Sequence, residues 1–402
     1  MTKNLPLFLI RASLLALIFF QSAAFSEDKN TLKAALDWKT PTSTFGADGR
    51  LWVAYVQNKS VFVTSSNDLG KSFNAPILVN LTPQDIYTNG ENRPKIAVSK
   101  EGNIYLSWTE KTKGRFNGDI HFARSINGGK SFEKDIVIND DGQNIGHRFD
   151  SLLLTPSGDI YLAWLDKRLS VKAKEMGLPY KGISLYYTRS TDYGKTFSNN
   201  LLAAEHTCEC CRIAIAPSGE NNAAIMWRHI FTGGLRDHAI SLLEHGKAPT
   251  VHRATIDQWK TDACPHHGPS LSPITPDSYH MAWFSHGALH KGLYYARYDL
   301  TTQTSSQPRL IDPSPSASHP FVKQFAGTTW LVWKSFIQGR TQLHAQYSLD
   351  QGQHWTQPIT IASSANDSDH PFIINNNNVA YASWFTTAEG LRLIPLKKQE
   401  SP

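Results

Sequence analysis

A chain of 402 residues carrying a formal charge of +6, with 40 basic against 34 acidic side chains, is long enough for a sizeable core and only mildly basic. No long basic run accompanies that balance, so nucleic acid is not an expected partner. The 11 Trp, 14 Tyr and 19 Phe suit sheets with aromatic seams between them.

Residues 1–26 read as a secretory leader. Lys3 and Arg11 flank the apolar run Leu14 to Phe20, and Ala24-Phe25-Ser26 supplies a small-residue cleavage site. The run is short for a bilayer span, so no transmembrane segment is expected after cleavage. A periplasmic or secreted mature protein with a charge of +4 follows.

From Leu51 onward the chain repeats itself. Seven apolar, alternating segments end in an aromatic residue: 51–55, 104–108, 160–164, 223–227, 279–283, 329–333 and 380–384. The aromatic anchors Tyr55, Trp108, Trp164, Trp227, Trp283, Trp333 and Trp384 stand 50 to 63 residues apart, a spacing of repeated sheet units. Each unit reads as four antiparallel strands, and the second predicts 94–98, 104–108, 120–125 and 135–139. The last predicts only 371–374, 378–384 and 391–396. Its missing outer strand is expected from residues 31–38, which would close a ring and hide the sheet edges.

An octet follows four of the units. Ser66 to Phe73, Ser125 to Phe132, Ser190 to Phe197 and Ser348 to Trp355 share the pattern Ser-x-Asp-x-Gly-x-(Ser/Thr/His)-(Phe/Trp), with Asp68, Asn127, Asp192 and Asp350 in the acidic slot. Asp or Asn accepts backbone N–H groups a few residues on, Gly takes positive φ, and the aromatic plugs the turn. The octet resembles the Asp-box (BNR) repeat, and through it the chain resembles the sialidase-like β-propeller superfamily. That resemblance implies an all-β propeller; the seven anchors count seven four-stranded blades in one domain over residues 31–398, where most propeller sialidases have six, the alternative count, and a monomer is expected. The box marks the fold more than any activity.

Strand parity places the starts of the first strands on one rim, opposite the octets. Aligned there are Asn92-Arg93-Pro94, His147-Arg148, Cys208-Glu209-Cys210-Cys211-Arg212, Cys264-Pro265-His266-His267-Gly268-Pro269, His319-Pro320 and His370-Pro371. All four cysteines lie in this set. In an exported protein they favour disulfides, with the 208–211 loop joined to Cys264. The sharper reading is a metal site in which Cys208, Cys210, Cys211 or Cys264 joins His266, His267, His319 or His370, a donor set suited to copper or four-coordinate zinc. C-E-C-C-R and C-P-H-H-G-P resemble motifs of an exported sialidase-like subgroup.

Arg93, Arg148 and Arg212, with His147 beside them, form a candidate anion or glycan site, since the resemblance implies a three-arginine carboxylate clamp. A sialidase-like glycoside hydrolase acting on acidic sugars would further need a Tyr nucleophile with a Glu, and an Asp acid. Glu110 and Asp166 are the weak acid candidates, and no Tyr–Glu pair stands out. The loop 166–182 is basic and is expected to overhang the rim, while His229, His238, His286 and His290 are expected to be exposed. No HExxH, GxSxG or phosphate-loop motif is present.

Overall fold

The computed structural model describes residues 37–398 and Met1. The leader, and residues 31–36 of the expected closing strand, lie outside the described residues. What is described is a seven-bladed β-propeller, each blade an antiparallel sheet built outward from its first strand.

The seven innermost strands are Lys39–Phe45, Lys95–Val98, His147–Leu154, Ala214–Ser218, Ser270–Thr275, Ser318–Phe325 and Phe372–Asn376. Each touches the next, and the last returns to the first. The second strands, Leu51–Gln57, Ile104–Lys111, Ile160–Asp166, Asn222–Arg228, Ser278–His286, Thr328–Ile337 and Val379–Thr386, contain all seven predicted segments. Six of the seven anchors, the tryptophans, are the largest fully buried side chains, with Trp108, Trp164 and Trp384 wholly inaccessible, and Tyr55 is nearly so. Alternate residues of a strand face opposite neighbours, so every blade contributes to two seams. Ala216, Met226, Met281 and Trp283 pack one such seam, and Trp330, Val332, Ile373 and Trp384 another. Among the described residues no helix is long and apolar enough to cross a membrane.

Five blades are plain four-stranded sheets, the fifth carries an extra pairing segment Arg309–Asp312, and the last has three strands among the described residues. Trp38 is buried with Tyr55 of the first blade and with Ile374 and Phe385 of the last. The ring is also tied by a hydrogen bond between the Ser43 and Ser383 hydroxyls at 2.8 Å.

The four octets are tight turns with one shared pattern. In the third, the backbone N–H of Gly194 donates to Ser190 Oγ at 2.9 Å, and Thr196 donates its N–H and its hydroxyl to the two Asp192 oxygens at 2.9 and 2.6 Å. Two successive residues have positive φ, not the glycine alone: Tyr193 at 61° and Gly194 at 74°. The plug reaches the preceding blade, with Phe197 set edge-on to Phe122 at 4.9 Å. A Cβ on Gly194 would lie 2.6 Å from that Phe122 ring, whereas one on Gly102, at φ 82°, meets nothing within 4 Å. Gly102→Ala is therefore expected to cost about 1 kcal/mol of strain, and Gly194→Ala about 2–4 kcal/mol by adding overpacking. Equal urea midpoints for the two variants would contradict this.

Candidate functional site

The rim where first strands begin and second strands end holds two clusters, one of thiols and one of imidazoles around a carboxylate. The thiol cluster comes from the connection into the fourth blade. Cys208, Cys210 and Cys211 are buried, and their sulfurs lie within 4.8 Å of one another. Cys208 Sγ and Cys210 Sγ are 3.8 Å apart, far beyond the roughly 2.05 Å of a disulfide. All four cysteines are free, and Cys264 is exposed and outside the cluster. The expected disulfide to Cys264 is therefore not formed: Cys264 sits on an irregular loop, while the other three sulfurs turn into the core.

Two guanidinium groups set the electrostatics here. Arg236 Nη1 donates to Cys208 Sγ at 3.3 Å. Arg228, wholly buried, donates to the carbonyls of Arg236, His267 and Phe284 at 2.9, 3.3 and 3.0 Å and lies 4.5 Å above Trp259. Hydrogen bonds from Cys210 and Cys211 pull the Cys208 thiol well down, despite burial, and Arg228 and Arg236 add to this. Hydrogen bonding with Cys208, together with burial, pushes Cys210 and Cys211 up. Beside Arg228, His238 is wholly buried with both ring nitrogens unpartnered, and His229 is largely buried. These two histidines correct the expectation of exposed rings; His286 is exposed, and His290 Nδ1 donates to Asp257 Oδ1 at 2.8 Å.

The second cluster centres on Glu91, which sits in the short 3-10 turn Gly90–Asn92 capped by the Asn89 side chain. Glu91 Oε2 accepts the Arg212 backbone N–H at 2.6 Å, and Oε1 accepts Arg212 Nη1 at 3.1 Å. The same Oε1 stands 3.6 Å from His319 Nε2 and 3.5 Å from His370 Nδ1. His319 and His370 stack at 3.4 Å, and His267 lies 4.8 Å from His319. Burial, with cationic and imidazole neighbours, holds all three rings below the ordinary histidine range, His267 at about 3. They are neutral bases. His266 contributes its carbonyl, 3.2 Å from His319 Nε2.

Beneath this cluster is a cavity of about 240 Å³, lined by Glu91, Arg93, Lys95, Asp150, Arg212 and His370 among apolar walls. The arginines are occupied. Arg93 pairs with Asp369 at 2.5 Å, and Arg212 with Glu91. Arg148 does not line the cavity; its guanidinium lies over Tyr87, Phe116 and Phe149. Lys95 Nζ is 2.9 Å from Asp150, and Lys334 donates to the Ser368 carbonyl at 2.9 Å, its ammonium pushed down to about 8 by burial.

The remaining candidates lie elsewhere. His147 is fully buried between Asp119, Asp141 and Asp166. Asp166 is itself wholly buried, accepting Trp164 Nε1 at 2.9 Å and pairing with Arg168 at 2.9 Å. Glu110 is 2.9 Å from His121 Nε2. The basic loop contains the helix Arg168–Glu175, which packs on the third strand of its own blade, Ile183–Ser190. Glu91, Asp369, Arg228 and Arg236 were missed by sequence reasoning, although Glu91 and Asp369 directly adjoin the Asn92-Arg93 and His370-Pro371 motifs.

No protein-family model matches the chain, and no curated protein matches it. Solved structures do. A polysaccharide lyase of the PL25 ulvan lyase family, bound to -[GlcA(1-4)Rha3S]-, has a TM-score of 0.55 at 12% identity over 89% of this chain and 93% of its own. A protein of unknown function from Dyadobacter fermentans has a TM-score of 0.52 at 13% identity over 78% and 95%. The polysaccharide lyase Uly1 has a TM-score of 0.51 at 10% identity over 87% and 88%. At these identities the likeness is one of fold: the chain is a seven-bladed propeller similar in fold to these structures, with buried His, Cys and carboxylate clusters able to coordinate a metal or an anion.

Proposed function

We propose that this protein is an exported, sialidase-like propeller that binds a soft metal ion, copper in preference to zinc, at Cys208, Cys210 and Cys211. The observation that carries the reading is three free, buried sulfurs within 4.8 Å of one another. Thiolates grouped this closely repel each other unless a cation or fixed positive charge offsets them, and Arg236 sits on Cys208. Thiolates hold Cu(I), zinc and iron–sulfur clusters; three sulfurs are one donor short of the four that structural zinc takes, and C-x-C-C is not a zinc-finger spacing, so Cu(I) is the better fit. Arg228 and Arg236 would orient and stabilise the thiolates from outside the coordination sphere.

The acidic-sugar glycosidase reading is less favoured. A carboxylate clamp needs guanidinium faces open to the ligand, and Arg93 and Arg212 are already paired with Asp369 and Glu91.

Protein purified without chelator is expected to carry about one copper per chain, with four thiols reactive after unfolding and metal removal. Cys210→Ser and Cys211→Ser should each weaken Cu(I) binding by more than the roughly 10–100-fold typical of losing an outer hydrogen-bond partner. Two disulfides per chain with no bound metal would sink the proposal.

A further inference from the structure

The imidazole cluster does not share a coordination sphere with the thiols: among the described residues three groups could hold an ion, Cys208/Cys210/Cys211, Glu91/His319/His370 and the interior Asp141/His147/Asp166, and in the last the ring is already held between carboxylates. We infer that Glu91, His319 and His370 form a second, chemically different cation site, for a borderline divalent ion such as Zn²⁺. This deepens the metal-binding reading above by dividing the rim into two sites, but it stands or falls on different residues.

Donor spacing comes first. Two donors about 2.1 Å from a tetrahedral ion stand about 3.4 Å apart. Glu91 Oε1 is 3.5 Å from His370 Nδ1 and 3.6 Å from His319 Nε2. One carboxylate oxygen thus keeps near-coordination spacing to two imidazole nitrogens from different blades. The second observation is an unmet bonding capacity. His370 Nδ1, the atom that faces Glu91, is buried with no hydrogen-bond partner, and buried polar atoms are seldom left so.

Supporting contacts are of the kind that orient ligands. Arg212 fixes both Glu91 oxygens. Gly90 lets the backbone approach His370 where a Cβ would come within 2.5 Å of the ring. His319 Nε2 now faces the His266 carbonyl at 3.2 Å. Binding an ion there transfers the His319 proton from Nε2 to Nδ1, so the ring stays neutral and no proton leaves it. Imidazole and carboxylate donors suit zinc, whereas the thiols select copper(I).

The test titrates metal-free protein with Zn²⁺ after the thiols have been saturated with Cu(I), followed by calorimetry. Wild type is expected to take one equivalent of zinc. His370→Ala and His319→Ala should remove that uptake, and Glu91→Gln should weaken it by about tenfold or more, while all three retain Cu(I). Cobalt in place of zinc should give a visible spectrum without a thiolate-to-metal charge-transfer band. His319→Gln, read with circular dichroism, guards against misfolding. Zinc uptake unchanged in the histidine variants, absent in wild type, or lost only in Cys210→Ser would overturn the second site. Loss of copper binding with zinc retained would instead overturn the thiolate reading alone.

Discussion

His147→Ala is expected to lower the stability of the fold by about 3–5 kcal/mol, the usual result of removing one partner from a buried ionic cluster. His147 has no exposed surface. Its Nδ1 faces the Gly118 carbonyl at 2.9 Å and Asp119 at 3.3 Å, and its Nε2 faces Asp141 at 3.1 Å and Asp166 at 3.9 Å. Burial opposes the charged ring, yet hydrogen bonds to Asp119 and Asp141, with the charge of Asp166, raise it to about 9. Because the folded value is raised, the contribution is complete below about pH 6.5 and fades as pH climbs through about 9. The shift is worth about 3 kcal/mol. Lys334 works the other way. Its ammonium is held down at about 8, so the unfolded chain binds more protons than the folded one above that pH, and stability rises. Comparing wild type with His147→Ala cancels the lysine. The gap between their urea stabilities should be widest near pH 6 and shrink toward pH 10. A gap independent of pH would mean that the ring is not charged in the fold.

Arg228→Met should be comparably damaging, by about 3–5 kcal/mol. The guanidinium satisfies carbonyls from Arg236, His267 and Phe284 and covers Trp259. Methionine refills much of the volume but donates to none of the three carbonyls. Arg228→Lys should recover little of the loss, because one ammonium cannot replace a planar fork aimed at three separate segments of the chain. Full recovery of the unfolding midpoint in Arg228→Lys would show that charge alone suffices, and would remove the directional account.

The architecture was legible because its signals are periodic. Seven apolar segments closed by Tyr55, Trp108, Trp164, Trp227, Trp283, Trp333 and Trp384 state the second strand of every blade, and strand parity then puts Arg93, Cys208, His267, His319 and His370 on one rim. The pairing of those groups was not legible. Side-chain direction at the rim depends on loop geometry that no period encodes, so Cys264 stays in solvent while Cys208 turns inward. Nor does spacing reveal that Arg93 and Arg212 are held by Asp369 and Glu91, since those contacts cross from blade to blade. His147 aligned with the rim motifs, yet three carboxylates from its own and neighbouring segments draw it into an interior ion network.

Sheets arranged in a torus meet only the sheet on either side, so a disturbance in one would ordinarily travel around the circumference. Glu91 offers a shorter route. From the connection before the second blade it reaches Arg212 at the fourth, His319 at the sixth and His370 at the seventh. A change in what that single oxygen touches therefore bears on three non-adjacent positions of the wheel at once, without passing through the sheets between them.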